Sequence, residues 1–179
     1  MDVIEQVEKT GMLGRDFLVW LWFKSEINHG LIDLKDDGQA EIRFDGKITL
    51  ETEDKENVET VTCSGVNSQF REARFALFRG KKVTQASMRL ILGDDEFSFT
   101  MDSGWMNYRS FKTPKILEDY KDDPEGLFYE KAGLIEKAIS TIDTVYYHFL
   151  KLRVSPEWNE RELPAIKKWV KKGRNESHG

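Results

Sequence analysis

Cysteine is nearly absent from this sequence. Cys63 stands alone among 179 residues, so no internal disulfide can form, and a reducing compartment is the expected setting. Long apolar runs are missing as well. FLVWLWF at Phe17–Phe23 is the longest, far short of the roughly 18 residues a membrane-spanning helix requires. The opening MDVIEQVEKTG is polar and acidic, which is not the pattern of a secretory signal. A cytoplasmic protein with no membrane contact is expected. The three histidines, His29, His148 and His178, lie far apart without His-x-x-x-His or paired-Cys spacing, so no metal ligation and no cofactor are expected. No histidine stands near Cys63 to make it a nucleophile. A phosphate loop is excluded within EARFALFRGKKVTQA (residues 72–86). If Gly80 were its second glycine, the first would fall at Phe75, and Lys82 replaces the hydroxyl that meets Mg²⁺. Repeats and low-complexity segments are also absent.

What is present is an aromatic core and a divided charge. Eleven Phe, five Trp and five Tyr suffice to fill one domain of ordinary size. The net charge of −5 argues against nucleic acid as a partner, because phosphate binding wants cations, but its distribution is uneven. Residues 161–179 carry Arg161, Lys167, Lys168, Lys171, Lys172 and Arg174 against Glu162 and Glu176, a net of +4, which leaves −9 on the first 160. Residues 71–89 hold six cations against Glu72 alone, and residues 103–117 hold Arg109, Lys112 and Lys115 without an acid. Residues 1–160 are therefore expected to form a single α+β domain, with 161–179 as a basic helical tail.

LGRDFLVWLWFKSEINHG reads as a helix closed by Gly30, with a buried strand as the competing reading. Alternation in QAEIRFDGKITLETE around Asp45-Gly46 predicts a hairpin, followed by a strand near Val58–Cys63. QFREARFALFR predicts a short helix with Phe70, Ala73 and Leu77 on one stripe and Gly80 as its cap. VTQASMRLIL and EFSFTM predict two strands around Gly93-Asp94-Asp95. Their inward residues would be Ala86, Met88, Leu90 and Leu92, then Phe97, Phe99 and Met101. Asp123-Pro124 opens a helix to about Arg153. In it Phe128, Ala132, Ile135, Ile139, Ile142, Tyr146 and Phe149 recur at alternating intervals of four and three. A helix of ~45 Å would overhang the sheet and expose Ile139, Ile142, Tyr146 or Phe149, so a homodimer through the 124–153 helix is expected. Ser155-Pro156 starts a last helix through Trp158, Leu163, Ile166 and Trp169. The expected fold is an antiparallel sheet of five or six strands with helices packed on it and one long C-terminal helix.

Two stretches suggest chemistry. Asp45 with Glu53-Asp54-Lys55 imitates the two carboxylates and lysine of a Mg²⁺-dependent nuclease, although Asp45 is also required by the predicted turn. In GWMNYRSFKTPK, Trp105, Tyr108 and Phe111 interleave with Arg109, Lys112 and Lys115. That is the mixture of stacking faces and cations found on nucleic-acid surfaces, though the aromatics could equally be core residues of an edge strand. The acidic pairs Asp36-Asp37, Asp94-Asp95 and Asp122-Asp123 fall at turns or a helix start, where side-chain capping explains them.

Residues 72–113, EARFALFRGKKVTQASMRLILGDDEFSFTMDSGWMNYRSFK, resemble the C-terminal part of the recombination-associated protein RdgC family. The likeness lies in a Glu-led helix, then Gly80-Lys81-x-Val83-Thr84, a strand, an acidic turn, a second strand and a basic–aromatic segment. The Trp-bearing helix at residues 17–26 is similar to what precedes that region in the family. It implies a nucleoid-associated protein that binds double-stranded DNA with little sequence preference and restrains a recombinase. The charge pattern nominates Arg74, Arg79, Lys81, Lys82, Arg89, Arg109, Lys112, Lys168, Lys171 and Lys172 as phosphate contacts. Two other readings compete: a protein–protein module without DNA binding, and the nuclease of Asp45, Glu53 and Lys55.

Overall fold

The computed structural model describes residues 12–52, 56–66 and 70–177. Helix α1 (Met12–Ile27) contains the run FLVWLWF and is apolar around most of its circumference, so it is enclosed on several sides. Its indole N–H groups still need acceptors. Trp20 donates to Glu162 at 3.0 Å, Trp22 donates to Glu26 at 3.0 Å, and Trp169 reaches the other oxygen of Glu26 at 2.9 Å. Left-handed His29 and Gly30 close the helix, and the Gly30 amide donates to the Ser25 carbonyl.

Strands β1 (Leu31–Asp33), β2 (Gln39–Glu51), β3 (Thr60–Val66), β4 (Lys82–Leu92), β5 (Asp95–Asp102) and β6 (Tyr108–Lys112) form one antiparallel six-stranded sheet. Its order is β1-β2-β4-β5-β6. β1 pairs with the start of β2 and β3 with its end. Asp45-Gly46 is not the predicted hairpin turn. β2 runs straight through it, and Phe44 pairs with Met88 while Ile48 pairs with Ala86, so β2 bulges by two residues. Gly46 at φ +107 permits the bulge, and a Cβ there would lie 3.2 Å from that of Ser87. A glycine of positive φ between alternating runs serves a bulge as well as a turn. The chain reverses instead between Thr52 and Glu59, whose backbones pair at 3.1 Å.

Helix α2 (Arg71–Phe78) ends as predicted at Gly80. The Gly80 amide reaches the Leu77 carbonyl and the Lys81 amide that of Ala76, two bonds that satisfy the helix end around the left-handed glycine. Helix α3 (Pro124–Arg153) starts where Asp123 accepts from the Gly126 amide at 2.9 Å. A π-turn (Trp158–Glu162) leads into α4 (Leu163–Ser177), which buries Ile166 and Trp169.

A single hydrophobic cluster joins all four helices to one face of the sheet, through Ala40, Ile42, Phe44, Ile48, Leu50, Ala86, Met88, Leu90, Phe97, Phe99 and Met101. The inward residues of β4 and β5 are as the alternation predicts, with Leu92 only partly buried. The buried residues of α3 begin at Ala138 and continue through Ile142, Val145 and Phe149, with Leu134 packed against the core just before them. Ile142 and Phe149 are therefore not the exposed overhang expected from the sequence. The other end projects, with Phe128 67% and Tyr129 65% exposed. Lys137, 3.6 Å from Asp95, marks where the helix meets the sheet, and Arg153 pairs with Asp16 at 2.9 Å near its end.

Candidate nucleic-acid interface

Strand alternation sends every second residue to the face away from the helices. Register then sets those residues in rows. Arg43, Arg89, Ser98 and Lys112 succeed one another across β2, β4, β5 and β6. The next row runs Ser87, Thr100, Arg109, with the two hydroxyls hydrogen-bonded at 2.9 Å. A third runs Thr62, Thr49, Gln85, Asp102. Lys82 lies on the same face opposite Glu51. Four nominated cations therefore share this surface: Lys82, Arg89, Arg109 and Lys112.

Their electrostatic states differ. Arg89 Nη1 donates to Glu96 at 2.8 Å, and its Nε lies 2.7 Å from Asp45 in ion contact but without hydrogen-bond alignment. The bond to Glu96 is the main cause holding the guanidinium above its ordinary pKa, so Arg89 is already compensated. Arg43 is matched by Glu41 at 2.7 Å. Arg109 and Lys112 are exposed and have no ion pair among the described residues.

The other six nominated cations lie in the helical layer. Arg74 is nearly buried, 3.5 Å from Glu26 and with its guanidinium 5.6 Å from the Trp169 ring centre, so it braces α2 against α1 and α4. Lys81 pairs with Glu59 at 3.2 Å. Arg79 is exposed and lies beside the Phe75 ring. Lys168, Lys171 and Lys172 join Lys167 at helical spacing on the side of α4 opposite Ile166 and Trp169. All four are exposed. The ten residues are thus divided between the open sheet face and the helical layer, and Arg74, Lys81 and Arg89 are already engaged with acids.

The three aromatics of residues 105–111 also separate. Phe111 stacks on Phe99 with centroids 5.7 Å apart, and Tyr108 meets Phe99 edge-on at 5.2 Å, so both are core residues of the edge strand. Burial pushes the Tyr108 phenol up to about 12, with the charge of Asp143 adding to the effect. Trp105 alone faces solvent. Nothing in the periodicity distinguished it, because it lies in the β5–β6 loop rather than on a strand.

Asp45 of the nuclease pattern is taken up by Arg89, and Glu53 and Lys55 fall outside the described residues. Among the described residues, no group of three or more His, Cys, Asp or Glu is placed to hold a metal ion. Burial pushes the Cys63 thiol up, and nearby Glu72 pushes it further, which disfavours the thiolate. His148 lies 2.8 Å from Asp37 in an open cleft of about 880 Å³ lined by Trp20, Lys24, Lys151 and Glu162. Its groups are largely matched to one another, as in Lys24–Glu162 at 2.7 Å. No described helix is long and apolar enough to cross a membrane.

Fold and surfaces together define an α+β protein whose antiparallel sheet has helices on one face and a polar, cation-bearing opposite face. No protein-family model, curated protein or solved structure matches the chain.

Proposed function

We propose that the protein is a non-catalytic, sequence-independent DNA-binding protein associated with recombination. The supporting observation is the lysine side of α4. Lys24, Lys81, Arg89 and Arg153 each have an acid within 4 Å. Lys167, Lys168, Lys171 and Lys172 are packed within two helical turns and have no such partner among the described residues. Like charges at that spacing repel, and phosphates relieve the repulsion while releasing their own counterions. The resemblance to RdgC supplies the nucleoid setting, the preference for duplex and a recombinase as partner.

The test is affinity for unrelated duplex sequences over a range of salt. Four phosphate contacts give a slope of about −3.6 in log K against log salt. Replacing the four lysines with glutamine should flatten it. A flat slope in the parent protein, or an unchanged one in the variant, overturns the proposal.

A second copy of the chain is the other partner that an observation favours. Phe128 and Tyr129 crown the projecting half of α3, and exposed aromatics of this kind mark interfaces. A symmetric dimer pairs the same patch of both copies.

A further inference from the structure

Trp105 is 86% exposed, whereas Trp20, Trp22, Trp158 and Trp169 are all 7% exposed or less. The loop carrying it is built rather than loose. The Asp102 carboxylate accepts from the Trp105 amide at 2.9 Å and the Asn107 amide at 3.1 Å, one oxygen for each. The Ser103 amide donates to the Thr84 carbonyl at 2.9 Å. Ser103 is buried against Gly14 of α1, so closely that a Cβ on Gly14 would lie 2.0 Å from the Ser103 carbonyl oxygen. Met106 takes a left-handed conformation at φ +55 to close the turn. A large indole is thus carried on a braced backbone, so little backbone freedom is left to lose on binding.

Its neighbours indicate the ligand. The loop leads directly into β6, where Arg109 and Lys112 are exposed and unmatched by acids among the described residues. Beside them, the row hydroxyls of Ser98 and Thr100 continue across the sheet. An aromatic face followed by cations and small hydroxyls suits a polymer with bases on one side and phosphates on the other. A paired base offers no free face to an indole at the tip of a loop, whereas an unpaired one does. We propose that this end of the open sheet face binds single-stranded DNA, with one base stacked on Trp105 and the flanking phosphates on Arg109 and Lys112. The inference rests on the nucleic-acid reading, but it assigns a different surface and a different DNA form from the lysines of α4.

The experiment uses the intrinsic fluorescence of the whole protein, in which Trp105 is the one solvent-facing indole. Titration with an oligo-dT of about 16 nucleotides should quench the long-wavelength emission saturably, and blunt duplex of equal length should not. Trp105→Ala should abolish the quenching and weaken oligo-dT binding at least about tenfold. Trp105→Phe, which keeps a stacking ring, should retain most of the affinity. An unchanged melting temperature in both variants shows that folding is not the cause. The lysine-to-glutamine variant of α4 should quench as the parent does, so loss of duplex binding and loss of Trp105 stacking are separately visible. Absence of quenching, equal quenching by duplex, or undiminished oligo-dT affinity in Trp105→Ala overturns the proposal. So does an emission shift that follows protein concentration without DNA, which would make Trp105 a contact between copies.

Discussion

Gly14 shows how much a single atom decides at the residue scale. In a helix interior, alanine is favoured over glycine by roughly 1 kcal/mol, so propensity alone predicts that Gly14→Ala stabilises the protein. The Ser103 carbonyl, 2.0 Å from the added methyl, predicts the opposite. The Cβ is fixed by its own backbone and the carbonyl is backbone, so neither yields by a rotamer change, and the clash should win with a net loss of about 3 kcal/mol. A lower urea midpoint at unchanged m-value would register it, and a higher midpoint would show that the loop does not rest on the helix. The sequence offers no hint of this role, because the neighbour lies 89 positions away. Glu26 and Glu162 were hidden in the same way. They look like surface carboxylates, yet both accept indole N–H groups at the helix interface.

At the scale of elements, β4 and β5 were legible because each buries one face and exposes the other, leaving a clean period of two. β2 was legible as alternation but not as one strand. A bulge of two residues preserves the inward phase, and nothing local distinguishes it from a turn. Asp123-Pro124 marked the start of α3, and the helix ends at Arg153 as expected. Which half of the seam is covered depends on where the sheet stops, a property of other elements. Two substitutions in the same seam should therefore behave differently. Ile142→Ala opens a cavity in the core and should cost about 2–5 kcal/mol. Phe128→Glu should change stability by no more than about 0.5 kcal/mol, yet it should convert a dimer into a 20.9 kDa monomer. Chemical denaturation reads the first and light scattering the second. A parent protein that is already monomeric at micromolar concentration would remove the second copy from consideration.

For the whole molecule, composition and patterning sufficed for the class, an antiparallel sheet with helices against it, because both depend on periodicity. The assembly of the site did not follow, since charge segregated along the chain need not be segregated in space. Residues 71–89 sent Arg74 into a helix interface, Lys81 to Glu59 and Arg89 to the opposite face. The same three-dimensional economy makes α4 more than a tail. A chain ending at residue 155 would lose Trp158, Ile166 and Trp169 from the core and leave Trp20 and Arg74 without Glu162 and the Trp169 ring. Such a chain should lose its sharp near-ultraviolet aromatic spectrum while keeping strand content in the far ultraviolet.

The pairing of α1 with α4 also has a consequence in time. Trp20 finds its acceptor 142 residues further along the chain, and Trp169 reaches back 143 residues to Glu26. At a synthesis rate of about 5–20 residues per second, the helix holding FLVWLWF leads its partner by roughly 7–30 s. During that interval Trp22 and Phe23 have no Trp169 to meet, while hydrophobic collapse of a short chain is complete within microseconds. The nascent protein must therefore carry its most adhesive segment without its α4 cover for far longer than folding itself requires, which makes it a natural client for chaperones that hold emerging apolar helices.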